Sequence, residues 1–240
     1  MSARKSSHIE LQCQFCQSRG ESHFSGLPED DLEVLSSHKS CVAYKKGQTL
    51  FYEGTRPMGV FCINHGKVKV YKMGSNGKEQ ILFIAKPGDF LGYRSLLSEE
   101  FYGATSTVLE QAAICFIPKS DFITILNRNP AFFQKLMKAV CSELGVMEEK
   151  LAQLAQKSVR ERLAATIIML KETYGMEGEE SHVIDIALSR EDLANIVGTA
   201  TETVIRLLSE FKSDGMIALK GKKIEVLDSK RLIHEADFYA

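Results

Sequence analysis

The stretch SREDLANIVGTATETVIRLLSEF, residues 189–211, decides how the chain is read. Ser189 stands three residues before Asp192, close to a capping box, in which a hydroxyl satisfies a free backbone N–H at a helix start. Thr199 and Glu202 repeat the signal and predict a second helix opening there. In that helix Val204, Leu207, Leu208 and Phe211 recur at i, i+3, i+4, i+7 and form one apolar stripe. Gly198 between the two suits a tight reversal that needs a left-handed backbone. Two short helices joined this way predict a helix-turn-helix, whose second helix lies in a DNA major groove.

With the stripe turned inward, Thr201, Glu202, Ile205 and Arg206 are expected on the outer face. Arginine donates two hydrogen bonds to guanine O6 and N7, and glutamate accepts from cytosine N4. The bland alternative is a surface salt bridge between Glu202 and Arg206, four residues apart. The hairpin that follows favours DNA. Met216–Leu219 and Ile224–Leu227 read as two strands around the basic tip Lys220-Gly221-Lys222-Lys223. Such a wing touches phosphate, adding affinity but no base information. Ser189, Arg190, Thr199, Thr203, Lys220, Lys222 and Lys223 are the expected phosphate contacts.

The rest of the chain frames this unit. Its 240 residues, 44% hydrophobic and 25% charged, suit a globular protein of two modest domains. A net charge of −1 excludes a broad polyelectrolyte, so DNA contact has to come from a local cluster of basic residues. No apolar run approaches the roughly 18–20 residues that span a bilayer. Met1 to Glu10 is too polar for a signal peptide, so a soluble cytoplasmic protein without membrane contact is expected.

Leu27-Pro28-Glu29-Asp30-Asp31 has proline and acids where a helix start favours them. From Cys41 to Pro118 the texture is short and strand-like: Leu50–Tyr52, Gly59–Ile63, Gly66–Tyr71, Gln80–Ile84 and Ala113–Ile117, with Asn76-Gly77 the sharpest hairpin signal. This predicts a sandwich or jelly-roll barrel. Beyond Pro130, Phe133, Val140, Met147 and Leu154 keep a seven-residue step beside Met137, Leu144 and Leu151. Two such lines describe a coiled-coil seam between two parallel chains toward Leu154, while near Phe132 and Phe133 part of the face is expected to pack on the chain's own barrel. A further helix, Ser158 to Tyr174, ends at Gly175, and a polar, acidic loop runs on to Glu180.

The fold class expected is therefore α+β. Residues 1–25 form an N-terminal tail, 26–129 a barrel, 130–156 a dimerisation helix and 157–240 a winged helix-turn-helix domain. Six cysteines in a cytosolic chain are expected reduced, with Cys62, Cys115 and Cys141 as small core residues. Cys13-Gln14-Phe15-Cys16 is a pair that can chelate a metal or cycle as a redox couple. An enzyme is disfavoured. A cupin-like metalloenzyme needs a His/Glu cluster inside the barrel, where only His65 lies, and no P-loop or nucleophile elbow occurs.

The order barrel, long helix, winged helix-turn-helix resembles the Crp–Fnr superfamily of bacterial transcription regulators over roughly residues 20–230. The segment Leu188–Gly198 followed by Glu202-Thr203-Val204 and Arg206 is similar to that family's DNA-binding signature. The resemblance implies that Glu202 and Arg206 read a TGA-like half-site. It also implies a homodimer on palindromic double-stranded DNA, with half-sites about 34 Å apart, and RNA polymerase as a partner. Members that bind cyclic AMP hold it with a Glu and an Arg. Here Tyr93 stands at the first position and Gly103 near the second, within a candidate effector pocket of Gly92, Tyr93, Arg94, Ser95, Ala104 and Thr105. From the long helix Met147 and Glu148 would join it, and Glu148 would repel a cyclic phosphate, so cyclic AMP is not the expected effector. The oxygen-sensing branch binds a four-iron cluster. Cys13 and Cys16 match its first two ligands and Cys115 its distant one, while Ser22, with His23 beside it, stands at the remaining position. An iron–sulfur or thiol redox site on Cys13, Cys16 and Cys115 is thus the alternative the resemblance leaves open.

Overall fold

The computed structural model describes residues 12–20, 22–175 and 182–237. Met1–Glu10 and most of the acidic loop after Gly175 lie outside the described residues. The chain divides into two compact units, Met1–Glu143 and Leu144–Ala240.

In the first unit, helix α1 (Glu29–His38) starts behind Pro28 with Glu29, Asp30 and Asp31 in its first turn. Eight strands follow: β1 (Ser40–Tyr44), β2 (Thr49–Phe51), β3 (Gly59–His65), β4 (Val68–Met73), β5 (Glu79–Ala85), β6 (Phe90–Leu91), β7 (Thr105–Val108) and β8 (Ala112–Pro118). They make two antiparallel four-stranded sheets, in the orders β1-β8-β3-β6 and β2-β7-β4-β5. One core gathers Phe51, Ile63, Val68, Val70, Tyr102 and Ile114. There the Phe51 and Tyr102 rings stack with centroids 4.0 Å apart. Gly77 closes the β4–β5 hairpin at φ +75°, as Asn76-Gly77 predicts. Gly59 is required for a different reason: a Cβ there would lie 2.1 Å from the Ile117 carbonyl oxygen.

Sequence patterning overlooked β1, β6 and β7. Thr105-Ser106-Thr107-Val108 is too polar to read as a strand, although Thr105 and Ser106 are buried once β7 sits between β2 and β4. A helix α2 (Tyr93–Leu97) follows β6, and α3 (Lys119–Arg128) and α4 (Pro130–Gln156) follow β8. Phe122 of α3, Phe132 and Leu136 of α4, Leu32 and Leu35 of α1 and Phe24 form a second core. Residues 12–20 lie within two short 3-10 turns, Cys13–Phe15 and Gln17–Arg19. Cys13 and Phe24 are buried in that second core, so this segment is part of the unit.

In the second unit, α5 (Val159–Tyr174) opens with a capping box that the sequence reading passed over, Ser158 with Glu161. Next come α6 (Arg190–Val197), α7 (Thr201–Ser213), the hairpin β9 (Ile217–Lys220) and β10 (Lys223–Val226), and α8 (Ser229–Glu235). Leu163, Ile167, Leu193, Val204, Leu207, Leu208, Phe211 and Leu232 are all at most 3% exposed. Arg160 closes this core from outside. It reaches Glu210 at 2.8 Å, Asp214 at 3.3 Å and Glu235 at 2.5 Å, and its guanidinium lies over the Phe211 ring at 4.8 Å.

Replacing Phe211, which has no solvent exposure, by Ala leaves a cavity under Arg160. A loss of about 3–5 kcal/mol is expected, read as a lower urea midpoint of the full chain. Arg206→Ala, on the opposite face of the same helix, leaves that midpoint unmoved.

Candidate nucleic-acid interface and sensory sites

Local chemistry builds the helix pair as the sequence predicts at one end and differently at the other. Ser189 caps α6: its hydroxyl oxygen accepts from the Asp192 N–H at 2.9 Å, and the Asp192 carboxylate accepts from the Ser189 N–H at 3.1 Å. Gly198 then adopts φ +75° and turns the chain. The second predicted cap does not form. Helix α7 begins at Thr201 behind Ala200, which has no side-chain oxygen to give. The Thr199 N–H is used instead by the preceding turn, donating to the Ala194 carbonyl at 3.0 Å. The N-cap residue thus supplies no side-chain acceptor to the first turn of α7, a helix start where an anion is favoured.

Val204, Leu207, Leu208 and Phe211 are buried, and Glu202, Ile205 and Arg206 are exposed, with Thr201 and Thr203 half-buried beside them. The surface pair weighed from sequence, Glu202 with Arg206, is not the one formed. Arg206 Nη1 instead meets Glu210 Oε1 at 2.5 Å, with the arginine side chain 64% exposed. An exposed pair of this kind is worth only about 0–1 kcal/mol. The guanidinium can exchange Glu210 for a base edge at little cost.

The wing forms around a two-residue turn, Gly221-Lys222, with Lys220 opposite Lys223. Its lysines are not equivalent. Lys220 pairs with Glu225 at 2.9 Å and Lys223 with Asp185 at 3.0 Å, while Lys222 sits exposed in the turn. Arg190 is drawn inward: its Nη2 donates to the Gly221 carbonyl at 3.2 Å, tying the start of α6 to the wing, and burial lowers its pKa.

The barrel unit holds two further sites. One is a cavity of about 640 Å³ whose lining includes Gly92, Tyr93, Arg94, Ser95, Gly103 and Ala104. Thr105 is not in the lining; its hydroxyl accepts from the Glu53 N–H at 3.0 Å. Met147 and Glu148 are not there either. The α4 residues that line it are Met137, Val140 and Glu143, three residues apart along one face. Glu143, which the sequence reading did not single out, organises the polar groups. Tyr93 donates its hydroxyl to Glu143 Oε1 at 2.7 Å, and Arg94 Nε lies 3.7 Å from Glu143 Oε2. Burial and the Glu143 bond push the Tyr93 hydroxyl well above the usual phenol range, and burial alone pushes Tyr102 up to about 12. A carboxylate thus stands in this wall of the cavity, bonded by Tyr93 and beside Arg94.

The other is a sulfur cluster. Cys13, Cys16, Cys62 and Cys115 line one enclosed space with Lys39 and Asn64. Its free volume is about 20 Å³, room for one water. The expectation of six reduced cysteines fails here, because Cys41 and Cys115 are disulfide-bonded. They are direct cross-strand partners on β1 and β8, a register that a sequence separation of 74 conceals. The bond also removes Cys115 as a thiolate ligand. Ser22, at the position of the missing fourth ligand, spends its hydroxyl on the Arg19 carbonyl at 2.9 Å and accepts from the Phe24 N–H. Among the described residues no group of three His, Cys, Asp or Glu side chains is placed to hold a metal ion. The donor set in this arrangement does not fit an iron–sulfur cluster.

Residues 41–129 match the family model of the cyclic nucleotide-binding domain, and residues 161–235 that of the Crp-like helix-turn-helix domain. The chain is 30% identical over 203 residues to the fumarate and nitrate reduction regulatory protein of Salmonella typhimurium, spanning 85% of this chain and 80% of that protein. It is 28% identical over 223 residues to the transcriptional activator protein FnrA of Stutzerimonas stutzeri, spanning 92% and 90%. The structure of FixK2 from Bradyrhizobium japonicum shares the fold, with a TM-score of 0.75 at 23% identity over 84% of this chain and 98% of that one. A barrel of the cyclic-nucleotide type joined to this helix pair and wing places the chain in the Crp–Fnr superfamily of transcription regulators.

Proposed function

We propose that the protein is a homodimeric regulator that binds palindromic DNA sequence-specifically, with Glu202 and Arg206 reading bases. The observation that carries this is the outer face of α7, where Glu202, Ile205 and Arg206 stand exposed opposite a fully buried stripe. Thr201 and Thr203 flank that face, and the uncapped first turn of α7 suits a phosphate. Lys222 is the wing residue best placed for the backbone, since Lys220 and Lys223 already face carboxylates. Arg190 acts by bracing the wing turn and Ser189 by capping α6. The setting of this function is the cytoplasm, with RNA polymerase as the downstream partner.

Self-association is supported by α4. Phe133, Met137, Leu144, Leu151 and Leu154 are between 40% and 70% exposed in the single chain. Apolar side chains of this size, in heptad spacing along one helix, fit a second copy of that helix. Cyclic AMP is not the signal in this reading, because Glu143 takes the Tyr93 hydroxyl and draws the cavity's Arg94 toward a carboxylate at 3.7 Å.

Arg206→Ala is expected to cost about 1–3 kcal/mol on the cognate site and to relax the preference for its guanine. Binding-site selection followed by titration checks this, and unchanged affinity with unchanged preference rejects the assignment. Leu144→Glu combined with Leu151→Glu should give a monomer in sedimentation equilibrium that no longer distinguishes a palindrome from a single half-site. Adding cyclic AMP should leave the DNA affinity of the native protein unchanged, and tightening on its addition would remove the reading of the barrel cavity.

A further inference from the structure

Three adjacent strands carry cysteines in register. Cys115 on β8 lies opposite Cys41 on β1 and opposite Cys62 on β3. The N-terminal turns then bring Cys13 and Cys16 onto the same enclosed space that Cys62 and Cys115 line. Four sulfurs thus line one space between this sheet and the N-terminal segment, and the fifth, Cys41, is bonded to one of them. Two are already oxidised to a disulfide.

The three free thiols differ in their surroundings. Lys39 Nζ donates to Cys13 Sγ at 3.0 Å, so a positive charge lies against that sulfur. Asn64 Nδ2 donates to Cys16 Sγ at 3.0 Å, and the Ser18 hydroxyl is 3.1 Å from it. Cys62 has burial against it, which holds its thiol protonated far above the ordinary range. A thiolate, not a thiol, attacks a disulfide. Cys62 is therefore the bystander, and Cys13, whose sulfur Lys39 contacts and which shares the enclosed space with Cys115, is the attacking group. Cys115 is the sulfur attacked, because it lines the shared space and Cys41 does not. Cys13 and Cys16 span a single turn, with the Cys16 N–H donating to the Cys13 carbonyl at 3.4 Å. The ends of such a turn lie within about 7 Å, the range a disulfide bridges.

We propose that Cys13-x-x-Cys16 is a dithiol site whose substrate is the chain's own Cys41–Cys115 disulfide. The Cys13 thiolate forms a bond to Cys115 Sγ as the Cys41–Cys115 bond breaks, and Cys41 leaves as a thiolate that takes a proton from solvent. The Cys16 thiolate then bonds to Cys13 Sγ, and Cys115 leaves as a thiol after protonation. Two electrons pass from the N-terminal dithiol to the cross-strand pair, and no outside oxidant enters. The product removes the covalent tie between β1 and β8, which remain paired as strands, and closes the N-terminal turn in a covalent ring. That segment is held on α4, where Lys135 Nζ donates to the Ser22 carbonyl at 2.9 Å and to Ser25 Oγ at 3.0 Å. The state of the exchange is accordingly presented to the barrel half of the long helix.

The test uses the full-length protein, fully reduced and then treated with one equivalent of oxidised glutathione. Samples are quenched with N-ethylmaleimide, and disulfide-linked peptides are mapped by mass spectrometry from the monomer band of a non-reducing gel. In the native chain both Cys41–Cys115 and Cys13–Cys16 peptides are expected. Cys16→Ser, and separately Cys16→Ala, should accumulate the trapped Cys13–Cys115 bond, and Lys39→Gln should slow its appearance on the order of tenfold. Cys62→Ser should leave the map of the other four cysteines unchanged. Absence of the Cys13–Cys115 peptide from both Cys16 variants, each with native circular dichroism, overturns the proposal. So does a native chain whose Cys13 and Cys16 are fully alkylated while Cys41–Cys115 persists. None of these readouts involves DNA, so they stand or fall apart from the regulator assignment.

Discussion

Burial of the Val204, Leu207, Leu208 and Phe211 stripe governs everything proposed for the DNA face. Those four side chains fill the unit's core under α5 and α6, with Arg160 covering Phe211 from outside. Rotating α7 by even a quarter turn would expose aliphatic surface at about 25 cal/mol for each Å² and tear the Glu210 and Asp214 ion pairs from Arg160. The orientation of Glu202 and Arg206 is thus a consequence of packing on the far side of their own helix. Specific contact then needs only that exposed side chains swap weak surface partners for stronger ones. Arg206 has such a partner in Glu210.

The barrel has the architecture of a cyclic nucleotide-binding domain. Its cavity is large and is lined by charges of both signs, Lys72 and Arg94 with Glu100 and Glu143, of which Glu143 is bonded by Tyr93 and approached by Arg94. Glu143 belongs to α4, so whatever displaces it acts directly on the long helix. The sulfur cluster on the other side also touches that helix, through Lys135 and the N-terminal segment. Both features therefore bear on the same element by hydrogen bonds to named groups.

Much of this was legible before any coordinates. The α6 cap, the left-handed glycine, the buried stripe, the hairpin at Asn76-Gly77 and the wing all follow from short local signals, the longest of them the wing at Met216–Leu227. The errors were also local competitions. Thr199 looks like a cap, but its amide completes the preceding turn, so the helix opens behind Ala200. Thr105–Val108 reads as polar loop because burial between two neighbouring strands, not hydrophobicity, makes it a strand. Met147 and Glu148 were placed in the cavity by resemblance, whereas the helical repeat brings Met137, Val140 and Glu143 there.

By itself the sequence determined the periodicities: which helix faces are apolar, where turns need glycine, and that Glu202 and Arg206 share one side of a helix. These are properties of a chain segment and its covalent geometry. Only the tertiary structure decided the pairings between distant residues: Cys41 with Cys115, Tyr93 with Glu143, Lys39 with Cys13, Arg160 with Glu210 and Glu235. The reason is that strand register and helix docking are set by summed burial over whole surfaces. A single residue's identity carries no information about which of many separations its partner will occupy.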